Sequence, residues 1–154
     1  MMRILIIEDD SFKLESIRGF LSKKLVHSVI ETCTSLSQGI INVNNNKYDL
    51  IMVDMAIPSH PITPGGGSPL SLLTGGLDIL LELNYLERND ICIIITQYPD
   101  IEISGKLYAL QEAKKEIKIQ LECDVLACIE YKEGSDEWQE ELEGILKNNE
   151  YFNP

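Results

Sequence analysis

The segment DLIMVDMAIP, residues 49–58, carries an apolar run from Leu50 to Val53 straight into a carboxylate at Asp54. A strand buried on both faces reads as a continuous apolar run, so an ionised group at its end calls for a task. Other apolar runs in the chain end in a similar way. ILIIEDD closes on Glu8, Asp9 and Asp10, CIIITQ reaches Thr96, and LACIEYK reaches Lys132. Neighbouring carboxylates repel one another and take up protons unless a cation compensates them. Ligands that are all oxygen favour a hard divalent ion, Mg²⁺ or Mn²⁺, which keeps open coordination positions. Such an ion, with an ammonium and a hydroxyl nearby, makes a receptor for phosphoryl oxygens. A carboxylate beside it can attack phosphorus and form an acyl phosphate. Asp54 is placed as that nucleophile.

These residues converge only if their strands lie side by side. Apolar runs at Arg3–Ile7, Leu50–Val53, Ile91–Ile95 and Val125–Ile129, with a weaker one at Ser28–Cys33, read as strands. Between them, helical stripes run through Leu14, Ile17, Leu21 and Leu25, through Leu77, Leu80 and Leu81, and through Leu107, Leu110, Ile117 and Leu121. A last stripe, Trp138, Leu142, Ile145 and Leu146, follows Ser135 as a helix N-cap. Alternating strands and helices predict an α/β fold. It is a doubly wound, five-stranded parallel sheet in the flavodoxin-like order 2-1-3-4-5, with helices on both faces. Ligands of such sheets bind beyond the carboxyl ends of the strands, where the run-ending residues lie. Residues 1–148 are expected to form one domain and 149–154 a short tail, leaving no room for an output domain. The Pro, Gly and Ser stretch at 59–76 reads as a long loop inside that domain.

Lys plus Arg number 13 and Asp plus Glu 25, a formal charge of −12. That surface repels a phosphate backbone and argues against nucleic acid as a partner. No apolar run approaches a membrane span or a signal peptide. Cys33, Cys92, Cys123 and Cys128 lack CxxC spacing and read as small buried thiols in a reducing, cytoplasmic setting. PGGGS is not followed by Gly-Lys-Ser/Thr, so it is not a phosphate cradle. His27 and His60 are isolated, and Trp138 reads as core.

Taken in order and on these elements, ILIIEDD, DLIMVDMAIP with its D-x-x-x-P spacing, GGLDILLEL, IIITQ and Lys132 make the chain resemble the response-regulator receiver domain. The likeness is to a divergent, stand-alone member of the chemotaxis-receiver kind. It implies Asp54 as phosphoacceptor and Glu8 and Asp9 as the metal-binding acids, with the Ala56 backbone carbonyl as a further ligand. It also implies Thr96 as the hydroxyl that bonds the phosphoryl group and Lys132 as its cationic partner. Asp10 falls outside the inner site, as a cap of the first helix. The implied partners are a histidine kinase or phosphotransfer protein and a downstream protein. No turnover is expected beyond self-phosphorylation from a phosphodonor and slow autodephosphorylation.

The chain departs from the family pattern at several points. The 59–76 stretch stands where receivers have a tight turn, and the distance from Thr96 to Lys132 is long, suggesting an extended fourth helix or connection. Gln97 replaces a small residue. Ile129 takes the place of the switch aromatic, Tyr131 directly precedes Lys132, and Glu133 follows it instead of proline. These changes suit a second reading, a degenerate receiver that works as a phosphorylation-independent interaction module. A haloacid-dehalogenase-type phosphatase would need an acid where Ala56 stands. An FMN site would need amides and hydroxyls where the first strand ends in acids.

Overall fold

The structure, a computed structural model, describes residues 1–58, 71–72 and 75–152. Five strands form the main sheet: β1 (Met2–Ile7), β2 (Ser28–Cys33), β3 (Leu50–Val53), β6 (Cys92–Thr96) and β9 (Ala127–Glu130). They lie in the order β2-β1-β3-β6-β9, every pairing parallel, which is the expected order 2-1-3-4-5. Helices α1 (Ser11–Lys24), α2 (Leu36–Asn45), α3 (Gly75–Tyr85), α4 (Leu110–Leu121) and α5 (Glu137–Lys147) make the crossovers.

Period-two alternation along each strand splits the core in two. Leu5, Ile7, Ile51, Val53 and Ile94 face a cluster that holds Val43 of α2, Ile79 and Leu80 of α3, and Ile117 of α4. Ile4, Ile6, Met52, Ile93 and Ile95 face the other, with Ile17 and Leu21 of α1 and Trp138, Leu142 and Leu146 of α5. Burial on both faces is why these strands read as unbroken apolar runs. On the second face Phe20 meets Trp138 edge-on at 5.5 Å, locking α1 to α5. Helix α5 starts one residue later than expected. Its N-cap is Asp136, while the Ser135 hydroxyl accepts from the Glu137 N–H at 3.3 Å.

Two small hairpins were not expected. Ile57–Pro58 (β4) pairs antiparallel with Ser71–Leu72 (β5); the rest of the 59–76 loop up to Gly75 lies outside the described residues. Asp100–Ile103 (β7) pairs antiparallel with Lys106–Ala109 (β8), and this accounts for the added length between Thr96 and Lys132. The extension is thus in the connection, and α4 itself has an ordinary 12 residues. The hairpin turn holds Ser104 at φ 53 and Gly105 at φ 82, the pair of positive φ values that a two-residue turn with the strands' own twist requires. Leu107, assigned to a helical stripe by its spacing, is in β8 and 66 % exposed.

All four thiols are free, and Cys33, Cys92 and Cys123 are buried. Burial pushes the Cys33 and Cys128 thiols up to about 12. Among the described residues no helix is long and apolar enough to cross a membrane.

Candidate functional site

Glu8 is the first residue beyond β1 and Asp54 the first beyond β3, and these strands are neighbours in register Ile7↔Val53. Parallel pairing therefore sets the two acids side by side. Asp9 follows in the turn to α1, and one carboxylate oxygen from each of Glu8, Asp9 and Asp54 lies within 4.8 Å of the others. Glu8 and Asp54 are buried, whereas Asp9 is exposed. Asp10 caps α1, accepting from the Lys13 N–H at 2.9 Å, as its sequence position suggested.

Thr96 ends β6, the strand beside β3, and is fully buried. Its Oγ1 accepts from the Tyr98 N–H at 3.3 Å, so the hydroxyl proton is left to be donated elsewhere. Ala56 is half-buried, and its backbone N–H is directed to the Asp54 carboxylate. Lys132 lies two residues beyond β9 and is exposed. The ion pairs of Glu8 and Asp54 are not with Lys132.

They are with Lys13, which the sequence reading passed over. Lys13 is 1 % exposed, and its Nζ lies 2.5 Å from Glu8 Oε1 and 3.3 Å from Asp54 Oδ2. The same ammonium donates to the Ile95 carbonyl at 2.9 Å and sits 5.7 Å above the Tyr131 ring. Tyr131 in turn packs on Trp138 at 5.4 Å. A sequence signal was present: Lys13 precedes Ile17 and Leu21 at four-residue steps, so it belongs to the buried stripe of α1. A lysine on that stripe must find a buried partner, and the strand-end acids are within its reach.

One ammonium does not neutralise three carboxylates. Burial first, and the Asp54 charge second, push Glu8 up to about 8, against the pull of Lys13. Asp54 is also raised by burial, opposed by Lys13 and by the Ala56 N–H. Asp54 Oδ1 is buried with no donor in hydrogen-bond geometry. An oxygen that lacks a partner in a buried acidic cluster suits a divalent cation, and the all-oxygen donor set fits Mg²⁺.

Gly76, near the start of α3, closes the other side. Its N–H donates to the Met55 carbonyl at 3.1 Å, and a Cβ there would stand 2.6 Å from the Asp54 carbonyl oxygen. Helix α3 can approach the Asp54 backbone this closely only through glycine.

No family model matches the sequence. The Detocs response regulatory protein DtcB of Vibrio alginolyticus is 31% identical over 155 residues, covering 94% of this chain and 99% of that protein. The chain belongs to the response-regulator receiver family. Another relative of this receiver, the uncharacterized protein y4jR of Sinorhizobium fredii, is 20% identical over 139 residues, covering 90% of the chain and 92% of its own length. Solved receivers share the fold. The CheY-like receiver domain protein of Methanospirillum hungatei superposes with a TM-score of 0.56 at 18% identity, over 97% of this chain and 99% of that one. Response regulator TrrA of Thermotoga maritima, in complex with Mg²⁺-BeF, gives a TM-score of 0.57 at 18% identity, over 94% and 99%.

Proposed function

We propose that this receiver accepts a phosphoryl group on Asp54, from a histidine kinase or phosphotransfer protein, and signals through protein–protein contacts. The observation that carries this reading is Asp54 Oδ1: a buried carboxylate oxygen without a donor, at a strand end, beside an ammonium and two further acids. An Asp54 oxygen attacks phosphorus and forms a P–O bond. The bond from phosphorus to the donor breaks, and its electron pair leaves with the imidazole nitrogen of a phosphohistidine, which takes a proton from solvent. With acetyl phosphate as donor, acetate leaves instead.

Glu8, Asp9, Asp54 and the Ala56 carbonyl are the groups that would hold Mg²⁺. When bound, the ion supplies positive charge opposite the phosphoryl oxygens. Thr96, whose oxygen is already occupied by the Tyr98 N–H, is free to donate its proton to a phosphoryl oxygen. Burial of Glu8 and Asp54 keeps water away from the attacking carboxylate and strengthens its electrostatic contacts.

The test is the intact mass of the protein after incubation with Mg²⁺ and acetyl phosphate. A gain of one phosphoryl group in the wild type, absent from Asp54→Asn, is the expected result. Labelling that persists in Asp54→Asn would move the acceptor elsewhere. A second reading, the phosphorylation-independent interaction module, is favoured by Lys13, whose ammonium already partly neutralises the acids without phosphate or metal. A wild-type protein that gains no mass would select it.

A further inference from the structure

We propose that Lys13 is a catalytic residue of this receiver, supplying from α1 the ammonium that meets the phosphoryl group, the task that family resemblance gives to Lys132. The inference rests on the reading of Asp54 as phosphoacceptor. Lys13 Nζ touches the reacting carboxylate, 3.3 Å from Asp54 Oδ2, whereas Lys132 extends into solvent beyond β9.

A purely structural role explains Lys13 poorly. It occupies the first turn of α1, where the helix dipole disfavours a cation. Full burial adds the cost of taking an ammonium out of water, and an apolar side chain on the same stripe with Ile17 and Leu21 would avoid both penalties. What an apolar residue cannot do is offset charge at Asp54. When the P–O bond forms, that charge does not vanish. The carboxylate oxygen becomes part of an acyl phosphate, and the negative charge moves outward onto the phosphoryl oxygens. An ammonium at the end of a flexible four-carbon stem can follow it.

Two contacts aim Lys13 at that position. The Ile95 carbonyl holds Nζ at the end of β6, one residue before Thr96, so the ammonium and the hydroxyl serve the same sheet edge. The Tyr131 ring lies beneath Nζ, and the Tyr131 N–H donates to the Thr96 carbonyl at 2.7 Å. The aromatic just before Lys132 thus backs Lys13.

The same geometry has a second consequence, independent of turnover. Lys13 competes with a metal for Glu8 and Asp54, so its removal strengthens Mg²⁺ binding while it weakens phosphoryl transfer. Trp138 reports on this, because its ring contacts Tyr131, which contacts Lys13.

The experiment compares Lys13→Met, Lys13→Arg and Lys132→Met with the wild type. It reads the rate of mass gain from acetyl phosphate, and the Mg²⁺ dissociation constant by titrating Trp138 fluorescence with the metal alone. Expected are a loss of about tenfold or more in rate for Lys13→Met, greater than that for Lys132→Met, and partial recovery in Lys13→Arg. Lys13→Met is also expected to bind Mg²⁺ roughly threefold or more tightly. A larger loss in Lys132→Met than in Lys13→Met overturns the inference and leaves Asp54 as acceptor. Because Lys132 is exposed, Lys132→Met is readable even if Lys13→Met does not fold, and a loss of about tenfold or more in that variant then overturns the inference by itself. Equal or weaker Mg²⁺ binding in a folded Lys13→Met also overturns it. Absence of mass gain in the wild type overturns the acceptor reading, and this inference with it.

Discussion

Replacing Gly19, Gly39, Gly76 or Gly144 by alanine sets a uniform helical gain against a local cost that the structure specifies. In a helix interior, Gly→Ala is worth up to about 1 kcal/mol. Gly144 in α5 and Gly19 in α1 have nothing within 4 Å of an added Cβ, so these variants keep the gain and should be about 0.5–1 kcal/mol more stable. At Gly39 in α2 the new carbon meets Ile7 Cδ1 at 2.9 Å and Ile79 Cδ1 at 3.0 Å, both flexible side-chain ends. Moving them off rotamer costs about 0.5–1.5 kcal/mol, which roughly cancels the gain. At Gly76 the new carbon meets the Asp54 carbonyl oxygen at 2.6 Å and Met55 Cα at 3.1 Å, and backbone cannot rotate away. Overpacking of this kind costs about 1–3 kcal/mol, and the helix gain is reduced so near the start of α3, leaving a net loss of about 1–2 kcal/mol. Urea unfolding at equal m-value gives the ranking Gly144→Ala above wild type, Gly39→Ala near it and Gly76→Ala below. Phosphoryl incorporation should fall in Gly76→Ala alone, because that variant displaces the Asp54 main chain. A Gly76→Ala protein as stable as Gly144→Ala would refute the close approach of α3 to Asp54.

Glu8 gives stability a pH dependence in the metal-free protein. With its folded pKa raised to about 8 from 4.5, the folded state keeps a proton that the unfolded chain releases between those values. This contribution is therefore complete below the lower value and lost as pH rises through the upper one, at up to about 1.4 kcal/mol per pH unit for one proton. Urea titrations in chelator across that window should show the fall, and Glu8→Gln should flatten it; an equal slope in the variant would be contrary. Arg88 pairs with Asp90 Oδ2 at 2.6 Å, donates to the Asn46 carbonyl at 2.7 Å and also reaches the Val43 carbonyl. Arg88→Ala leaves Asp90 largely buried with only the Tyr48 N–H, at 2.8 Å, to hold its charge, and should cost about 3 kcal/mol by thermal or urea unfolding. Phosphorylated Asp54 should be long-lived, since Ala56 offers no side-chain hydrogen bond to orient an attacking water and Tyr98 adds bulk nearby. Tyr98→Glu with Ala56→Asn should shorten the decay time followed by mass, and an unchanged decay would count against this account of the lifetime.

The sheet was legible because its strands are buried on both faces: Leu50–Val53 and the run ending at Ile95 admit little else. The acids were legible for the complementary reason, as charges abutting apolar runs, and parallel register then brings Glu8 to Asp54. Lys13 was not, because a lysine in a first helical turn ordinarily reads as solvated. Only its place on the Ile17–Leu21 stripe marked it, and that stripe was read for its apolar members alone. Lys132 was legible by position along the strand, and the structure places it exposed, two residues beyond β9. The β7–β8 hairpin escaped because Leu107 happens to keep step with Leu110 and Ile117. Its turn signal, Ser104-Gly105, is weaker than Asn-Gly.

That hairpin is an insertion in the strict topological sense. The chain departs at Asp100 and returns at Ala109, two residues that are cross-strand partners, so its ends are already adjacent and a short link could replace everything between them. Excision would leave the strand order untouched. It would not leave the surface untouched, because Ile101 and Ile103 are buried in the cluster that holds Ala113 and Ile117 of α4. The extra length therefore acts as cladding. It roofs a flank of α4 that a shorter connection would leave wet, and it turns outward a new edge, with Leu107 on it, that the bare five-stranded sheet does not possess.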